Sequence, residues 1–210
     1  MADDRYFSVN GIVLKYSDYS ESSRILTIFS AEFGLIKAVA KSAKRKGSKL
    51  LAISQPFAFC RYQLCRGKND LHTVTGGELI ENFYAVTEDI DRFTAAGEIT
   101  SDLMANIVRD EPEPEVLRLY LNTLFALCYT KKDPGLIKAV FTVRLRSELG
   151  FLPTAEAIRS RYLPGSDDVV LELTEHIVGC DLKKLYGFDI SDGLKNTVEE
   201  LAGKITAEER

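Results

Sequence analysis

The 210-residue sequence contains no tryptophan, only two histidines and only four cysteines, none of them in a C-x-x-C pair. A four-ligand zinc site built from Cys60, Cys65, Cys128 and Cys180 would need unusual spacing. The first three thiols lie among apolar residues, which is typical of small buried side chains. Free cysteines also suit the reducing cytosol. The cysteine pattern therefore predicts neither a zinc centre nor a disulfide framework.

The sequence also lacks the patterns of membrane segments and of common catalytic sites. Its apolar runs are much shorter than a membrane span, and the acidic N-terminus has no hydrophobic signal core. No G-x-S-x-G, H-E-x-x-H or Walker loop is present, and His72 and His176 lie far apart in the sequence. We therefore expect a cytoplasmic protein, not bound to membranes, that is not an enzyme and carries no cofactor.

The chain has no excess of positive charge as a whole, but its first part does. The net charge is −4, from 27 Lys and Arg against 31 Asp and Glu. Residues 1–80 contain 12 basic and 7 acidic residues, a net charge of +5, whereas residues 81–210 contain 15 and 24, a net charge of −9. This asymmetry indicates an electrostatic partner for the first part of the chain.

The first eighty residues have the composition of β-strands. Aromatic and β-branched residues dominate five short segments that are separated by glycine and polar turns. The segments are 6–16, 24–30, 34–40, 56–65 and 71–80. Five strands in about eighty residues favour a small barrel, and the OB-fold has that number of strands. Strand number alone leaves other small barrels open.

Helical patterns begin at about residue 84. Segment 86–108 predicts either one helix or two helices that divide at Gly97, and the apolar segment 116–129 predicts a buried central helix. Asp133-Pro134 predicts the start of the next helix, which ends before Gly150 and carries Lys138, Arg144 and Arg146 on its polar side. Further helices are expected at 168–180 and after Leu194, while 154–167 is ambiguous. The prediction is an α+β protein with a barrel domain at 1–80 and an acidic helical domain at 81–210.

The segment from Lys41 to Lys49, here called the basic segment, carries five cations in nine residues and no acid. They are Lys41, Lys44, Arg45, Lys46 and Lys49. A loop of this kind beside a barrel can neutralise several DNA phosphates, although it can also be no more than a solvated loop. Lys15, Arg24 and Lys37 extend the patch if they share its face. Tyr16, Tyr19, Phe29, Phe33 and Tyr62 offer either stacking surfaces or core packing.

Two stretches of the sequence resemble a known family. The first comprises Gly11–Lys15, Asp18–Ser30, Phe33–Arg45, Ser48–Leu50 and Gln55–Phe57. The second is Phe141-x-x-Arg144-Leu145-x-x-x-x-Gly150-Phe151-x-Pro153. Together they resemble the bacterial RecO family of DNA repair proteins in register over about 150 residues, whereas the last 55 residues align only loosely.

The resemblance implies an N-terminal OB-fold, a C-terminal helical domain and a role as a recombination mediator at the nucleoid. Such a mediator binds single- and double-stranded DNA, anneals complementary strands and works with RecR to load RecA onto strands coated by single-strand-binding protein. The expected DNA-binding residues are Lys15, Arg24, Lys37, Lys41, Lys44, Arg45, Lys46 and Lys49. A general OB-fold RNA-binding or assembly factor is the alternative. A monomer is expected.

The acidic, apolar C-terminal tail of single-strand-binding protein is a further partner that the resemblance implies. Its aromatic end needs an apolar pocket and its carboxylates need nearby cations. Lys138, Phe141, Arg144 and Arg146 supply both on one helix, and a bundle core with solvated cations is an equally good explanation of the same residues.

One departure from the family pattern concerns zinc. Many family members place two C-x-x-C pairs after the Gly-Phe-x-Pro signature. In this sequence the first pair would fall near Ile158 and Arg161, and Cys180 stands alone. We therefore expect no zinc, and region 154–180 must be held together by packing.

Overall fold

A computed structural model describes residues 5–108, 111–152 and 154–208 of the chain. The chain divides into two compact units. The barrel unit is Met1–Ala85 with Asn106–Leu117, and the helical unit is Val86–Ala105 with Arg118–Arg210. The sequence predicts a single domain boundary near residue 80. It does not predict that residues 106–117 also belong to the barrel unit.

The barrel unit is a closed five-stranded barrel with the strand order β1-β2-β3-β5-β4. β3 and β5 are parallel, and the other neighbouring strands are antiparallel. The strands are β1 (Tyr6–Asp18), β2 (Arg24–Ser30), β3 (Gly34–Ala40), β4 (Ala58–Cys65) and β5 (Leu71–Asn82). The short helix α1 (Leu50–Ile53) lies between β3 and β4 in the chain. This is the OB-fold arrangement, so the predicted α+β class and N-terminal barrel are confirmed.

Side chains from all five strands build the barrel core. Leu26 and Ile28 of β2 and Ala38 of β3 are completely buried, whereas Lys37 beside them is exposed. Gly11 allows β1 to approach β2 closely, because a β-carbon there would lie 2.6 Å from Ile28 Cγ2. The apolar and small residues of the five strands thus enclose a single core.

Segment 106–117 returns to the barrel unit at the β2–β3 turn. Glu113 N–H donates to the carbonyl oxygen of Ala31 at 3.1 Å. Gly34 has a φ of +57°, and a β-carbon on it would lie 2.6 Å from the Val108 carbonyl oxygen. Only glycine tolerates both the left-handed backbone and this close approach without strain.

Six helices of the described part of the chain lie wholly or mainly in the helical unit. They are α2 (Ile90–Asn106), α3 (Pro114–Tyr129), α4 (Pro134–Glu148), α5 (Ala155–Tyr162), α6 (Asp168–Gly179) and α7 (Asp192–Glu208). Of the two alternatives for segment 86–108, the single helix is confirmed, because α2 is continuous through Gly97. The predicted start of α4 is confirmed, since the Asp133 carboxylate accepts from Leu136 N–H at 3.0 Å and Pro134 follows it.

The most deeply buried helix is α4 rather than α3. Every residue of α4 from Leu136 to Arg146 except Lys138 is buried, whereas α3 exposes Phe125 and Tyr129. The predicted polar side of α4 is therefore wrong for Arg144 and Arg146, which are 8% and 1% exposed.

Both buried arginines have internal partners. Arg144 Nε lies 2.7 Å from Glu148 Oε1, and its Nη1 donates to the carbonyl oxygens of Ile177 and Cys180 at 2.9 and 3.0 Å. Arg146 Nη2 lies 2.7 Å from Asp102 Oδ1. These bonds attach α4 to α2 and to α6, so the two arginines hold the bundle together.

None of the described helices has both the length and the apolar character that a membrane crossing requires.

Replacing Arg146 with Ala should lower the free energy of unfolding of the helical unit by about 3–5 kcal/mol, because it leaves the Asp102 carboxylate without its buried cation. Arg161→Ala is the matched control, since Arg161 pairs with Glu208 at the surface and its side chain is 63% exposed. The control should cost about 1 kcal/mol or less. Urea unfolding followed by circular dichroism measures both, and equal losses would contradict the role assigned to Arg146.

Candidate nucleic-acid interface

The basic segment is attached to the turn between β1 and β2. Ser42 N–H donates to Ser23 Oγ at 3.2 Å, and Lys44 N–H donates to the Ser22 carbonyl oxygen at 2.9 Å. Between them Ala43 is completely buried and belongs to the barrel core. The backbone of the segment is therefore fixed at Ser42–Lys44. All five expected cations of the segment, Lys41, Lys44, Arg45, Lys46 and Lys49, are exposed.

One of these cations is partly neutralised. Lys44 Nζ lies 2.9 Å from Asp18 Oδ2, and the two side chains are 30% and 63% exposed. Within the described residues no acidic side chain forms an ion pair with Arg45, Lys46 or Lys49. The segment therefore presents charges that differ in their availability to an anionic ligand.

Arg24 lies at the barrel end beside the basic segment. It pairs across the sheet with Ala40, the residue before Lys41. Its guanidinium carbon lies 3.9 Å from the centroid of the Tyr16 ring, and Nη1 donates to the Ser54 carbonyl oxygen at 3.3 Å. Arg24 is therefore half-buried, and its charge is shared between an aromatic face and a backbone oxygen.

Lys15 and Lys37 form a separate row on the outer face of the sheet. Thr27 of β2 pairs with Lys15 on one side and with Lys37 on the other. Directly paired residues point to the same face of the sheet. The neighbours of Thr27 in β2, Leu26 and Ile28, point to the opposite face, into the core. The structure thus divides the expected patch into the barrel end with the basic segment and Arg24, and the outer row with Lys15 and Lys37.

The aromatic residues also divide into two groups. Phe29 and Tyr62 are completely buried, and Phe33 is packed against the barrel core. Tyr62 Oη donates to the Ile53 carbonyl oxygen at 2.6 Å, and burial raises the pKa of its hydroxyl. Tyr16 and Tyr19 are 38% and 60% exposed, so these two provide accessible ring surface near the basic segment.

A pocket of about 100 Å³ lies at the other end of the barrel, where β4 turns into β5. It is lined by Phe7, Phe33, Leu35, Ile36, Lys37, Arg66, Asp70 and His72. The sequence patterns did not predict that Arg66, Asp70 and His72 lie together. The available signal was the pair of cations, Arg66 and Lys68, in the β4–β5 turn, because this loop borders the ligand groove of OB-folds.

Of the four residues expected to bind a partner peptide, only Lys138 reaches the surface to any extent. Phe141 is completely buried and packs edge to face against Tyr120, with ring centroids 6.4 Å apart. Lys138 Nζ lies 2.7 Å from Glu98 Oε2, at a groove of about 1150 Å³ formed by α2, α4 and α7. Because Arg144 and Arg146 are enclosed, the structure does not bring the four side chains together as a binding surface.

The residues at the positions expected for zinc ligands do not fit a metal ion. Ile158 is buried and apolar, and Arg161 pairs with Glu208 at 2.7 Å. Burial raises the pKa of the Cys180 thiol, which disfavours the thiolate that zinc binds. In the part of the chain that the structure describes, no three His, Cys, Asp or Glu side chains form a group that could hold a metal.

Of the other thiols, Cys60 is buried, and burial raises its pKa to about 11. Cys65 and Cys128 are only partly buried, which is less than expected. All four cysteines are free.

Comparison with known proteins gives a consistent result for both units. The family model described as "Recombination protein O N terminal" matches residues 1–83, and the one described as "Recombination protein O C terminal" matches residues 87–157. The DNA repair protein RecO of Acetivibrio thermocellus is 37% identical over 148 residues, which cover 70% of this chain and 59% of that protein.

Two further relatives extend the comparison. The DNA repair protein RecO of Caldicellulosiruptor bescii is 31% identical, and the match covers 70% of this chain and 59% of the relative. The DNA repair protein RecO of Caldicellulosiruptor saccharolyticus is 29% identical, and the match covers 94% and 90%. The chain thus matches about three fifths of the length of the first two relatives and most of the third. With both family models matching in chain order on a closed OB-fold barrel and a helical unit, the chain belongs to the RecO family.

Proposed function

We propose that this chain is a DNA repair and recombination mediator that binds single- and double-stranded DNA and anneals complementary strands. With RecR it helps to load RecA onto strands coated by single-strand-binding protein. The observation that carries the proposal is the basic segment, whose cations are exposed on a backbone fixed to an OB-fold barrel. Membership of the RecO family supports the same role.

Electrostatics favours the barrel unit as the DNA-binding part. Each phosphate contacted by Lys or Arg releases condensed counterions, which drives binding without regard to sequence. The net charge of +5 in residues 1–80 attracts a phosphate backbone, and the net charge of −9 in residues 81–210 repels it. Binding is therefore confined largely to the barrel unit.

Annealing needs no covalent chemistry. A cationic surface that holds two strands lowers their mutual repulsion, and base pairing supplies the remaining driving force. The exposed Tyr16 and Tyr19 rings offer surfaces on which bases can stack while strands are exchanged. A role without catalysis is consistent with the absence of catalytic motifs from the sequence.

RecR and the acidic tail of single-strand-binding protein are proposed partners on the basis of family membership alone. Because Phe141, Arg144 and Arg146 are buried, their substitution would test the bundle rather than a tail site. Lys138 is the member of that set whose side chain, 43% exposed, is available to a peptide. Its variants are therefore the appropriate probes of tail binding.

The triple variant Lys44→Ala/Arg45→Ala/Lys46→Ala should bind single strands of every sequence more weakly than the wild type. If the native surface contacts about five phosphates, the slope of log affinity against log salt is roughly −3 to −4. Arg45 and Lys46 account for two of these contacts, because Lys44 is held by Asp18, so the slope of the variant should be about −2. Fluorescence anisotropy of labelled oligonucleotides over a salt series measures both quantities.

The matched control is Lys131→Ala/Lys183→Ala/Lys184→Ala, which removes three exposed cations from the helical unit. It should leave the affinity and the salt slope unchanged. A basic-segment variant that behaves like this control would show that the segment is only a solvated loop.

Asp18→Asn should strengthen DNA binding, because it frees the Lys44 ammonium from its ion pair at 2.9 Å. One additional phosphate contact on single strands makes the salt slope more negative by about 0.7. Asp189→Asn is the control, since it frees Lys132 in the helical unit from a pair of nearly the same length, 3.0 Å. If both variants leave the slope at the wild-type value, Lys44 does not contact phosphate.

The alternative, a general OB-fold RNA-binding factor, differs in its response to the 2′-hydroxyl group. With DNA as the ligand, a matched unlabelled RNA oligomer should compete no better than the DNA oligomer of the same sequence. Preferential displacement of bound DNA by RNA in the anisotropy assay would favour the alternative.

A further inference from the structure

We propose that the pocket at the β4–β5 end of the barrel is a subsite that binds one unpaired nucleobase. We call it the Phe7 pocket, after the lining residue whose ring lies beside Phe33, His72 and Arg66. The proposal rests on the proposed DNA-binding function and adds to it a means of distinguishing single strands from duplexes.

Aromatic and guanidinium groups surround the Phe7 pocket. The Phe7 ring centroid lies 5.6 Å from that of Phe33 and 5.3 Å from that of His72, in both cases edge to face. The Arg66 guanidinium carbon lies 4.8 Å from the Phe7 centroid. Phe7 and Phe33 are only partly buried and also line the cavity. Flat π-systems of this kind are the surfaces on which unpaired bases stack.

The polar groups of the pocket suit a base better than an isolated phosphate. Lys37 and Arg66 contribute positive charge, but the Asp70 carboxylate also lines the cavity and repels an anion inside it. A base carries both hydrogen-bond donors and acceptors on its edge, which a carboxylate and a guanidinium can satisfy together. The two cations can then face the phosphates on either side of the inserted base.

The size of the pocket limits its occupant. Its volume of about 100 Å³ corresponds to a single small ring system, since one water molecule in the liquid occupies about 30 Å³. Two paired bases cannot enter it, and a stacked base in a duplex is not available to it. The Phe7 pocket therefore accepts only a base that has left its helix.

The position of Lys37 connects the pocket to the rest of the interface. Lys37 lines the pocket and also ends the outer row Lys15–Thr27–Lys37. Beside it, Leu71 of β5 pairs with Lys37 and precedes His72. Lys37 therefore joins the pocket to the cations on the outer face of the barrel.

Photocrosslinking of the unmodified 210-residue chain tests the proposal directly. A single-stranded oligonucleotide carrying 5-iodouracil should crosslink to Phe7, Phe33 or His72, as identified by mass spectrometry of the crosslinked peptides. The same oligonucleotide annealed to its complement should lose these crosslinks. Crosslinks that fall only on Tyr16, Tyr19 and the basic segment would overturn the proposal.

Arg66→Gln provides a second, independent measurement. It should weaken single-strand binding about tenfold, within the range for loss of a base-stacking contact, and change duplex affinity less than twofold. Arg61→Gln is the control, because Arg61 is an exposed β4 cation that does not line the pocket. Equal effects of Arg66→Gln on single strands and duplexes, or none on either, would contradict the proposal.

The measurements separate failure of the proposed function from failure of the base-binding pocket. If the wild type binds neither kind of DNA, the proposed function is wrong. If the wild type binds both and the basic-segment variant weakens both, while Arg66→Gln leaves their ratio unchanged, the function stands and the Phe7 pocket is only packing at the barrel end.

Discussion

The interface depends on the attachment of the basic segment to the β1–β2 turn. Like charges repel one another, so five cations in nine residues favour an extended, mobile chain. Two hydrogen bonds to the Ser22–Ser23 backbone and side chain, and the burial of Ala43, oppose this tendency. The entropic cost of ordering the loop is thereby met during folding rather than on binding. More of the electrostatic attraction is then available for the DNA that we propose as its ligand.

The two units place their basic residues differently. In the barrel unit, small and apolar residues fill the interior, and cations and four tyrosines (Tyr6, Tyr16, Tyr19 and Tyr84) are exposed on the surface. In the helical unit, two cations are buried. Arg144 bonds to Glu148 and to backbone oxygens, and Arg146 pairs with Asp102. The barrel unit therefore keeps an exposed cationic surface, where we propose that DNA binds, although the whole chain has nearly equal numbers of basic and acidic residues.

The strands were predictable because their aromatic and β-branched composition and their turn residues are local signals. Asp133-Pro134 marked the start of α4 for the same reason. The burial of Arg144 and Arg146 was not, because it depends on Asp102 and the Ile177 carbonyl, distant in sequence. The basic segment was visible as a charge cluster, but its attachment to Ser22 and Ser23 was not. The Phe7 pocket combines side chains from β1, β3, β5 and two turns, which no local pattern reveals.

The central claim, that the basic segment of the barrel allows this chain to bring DNA strands together, is tested most directly by strand annealing. Two complementary oligonucleotides are coated with cognate single-strand-binding protein, and duplex formation is followed by fluorescence energy transfer. The account predicts that the wild-type chain accelerates annealing with and without the coating protein, and that Lys44→Ala/Arg45→Ala/Lys46→Ala does so much less. Equal acceleration by the wild type and this variant, or none by either, would contradict it.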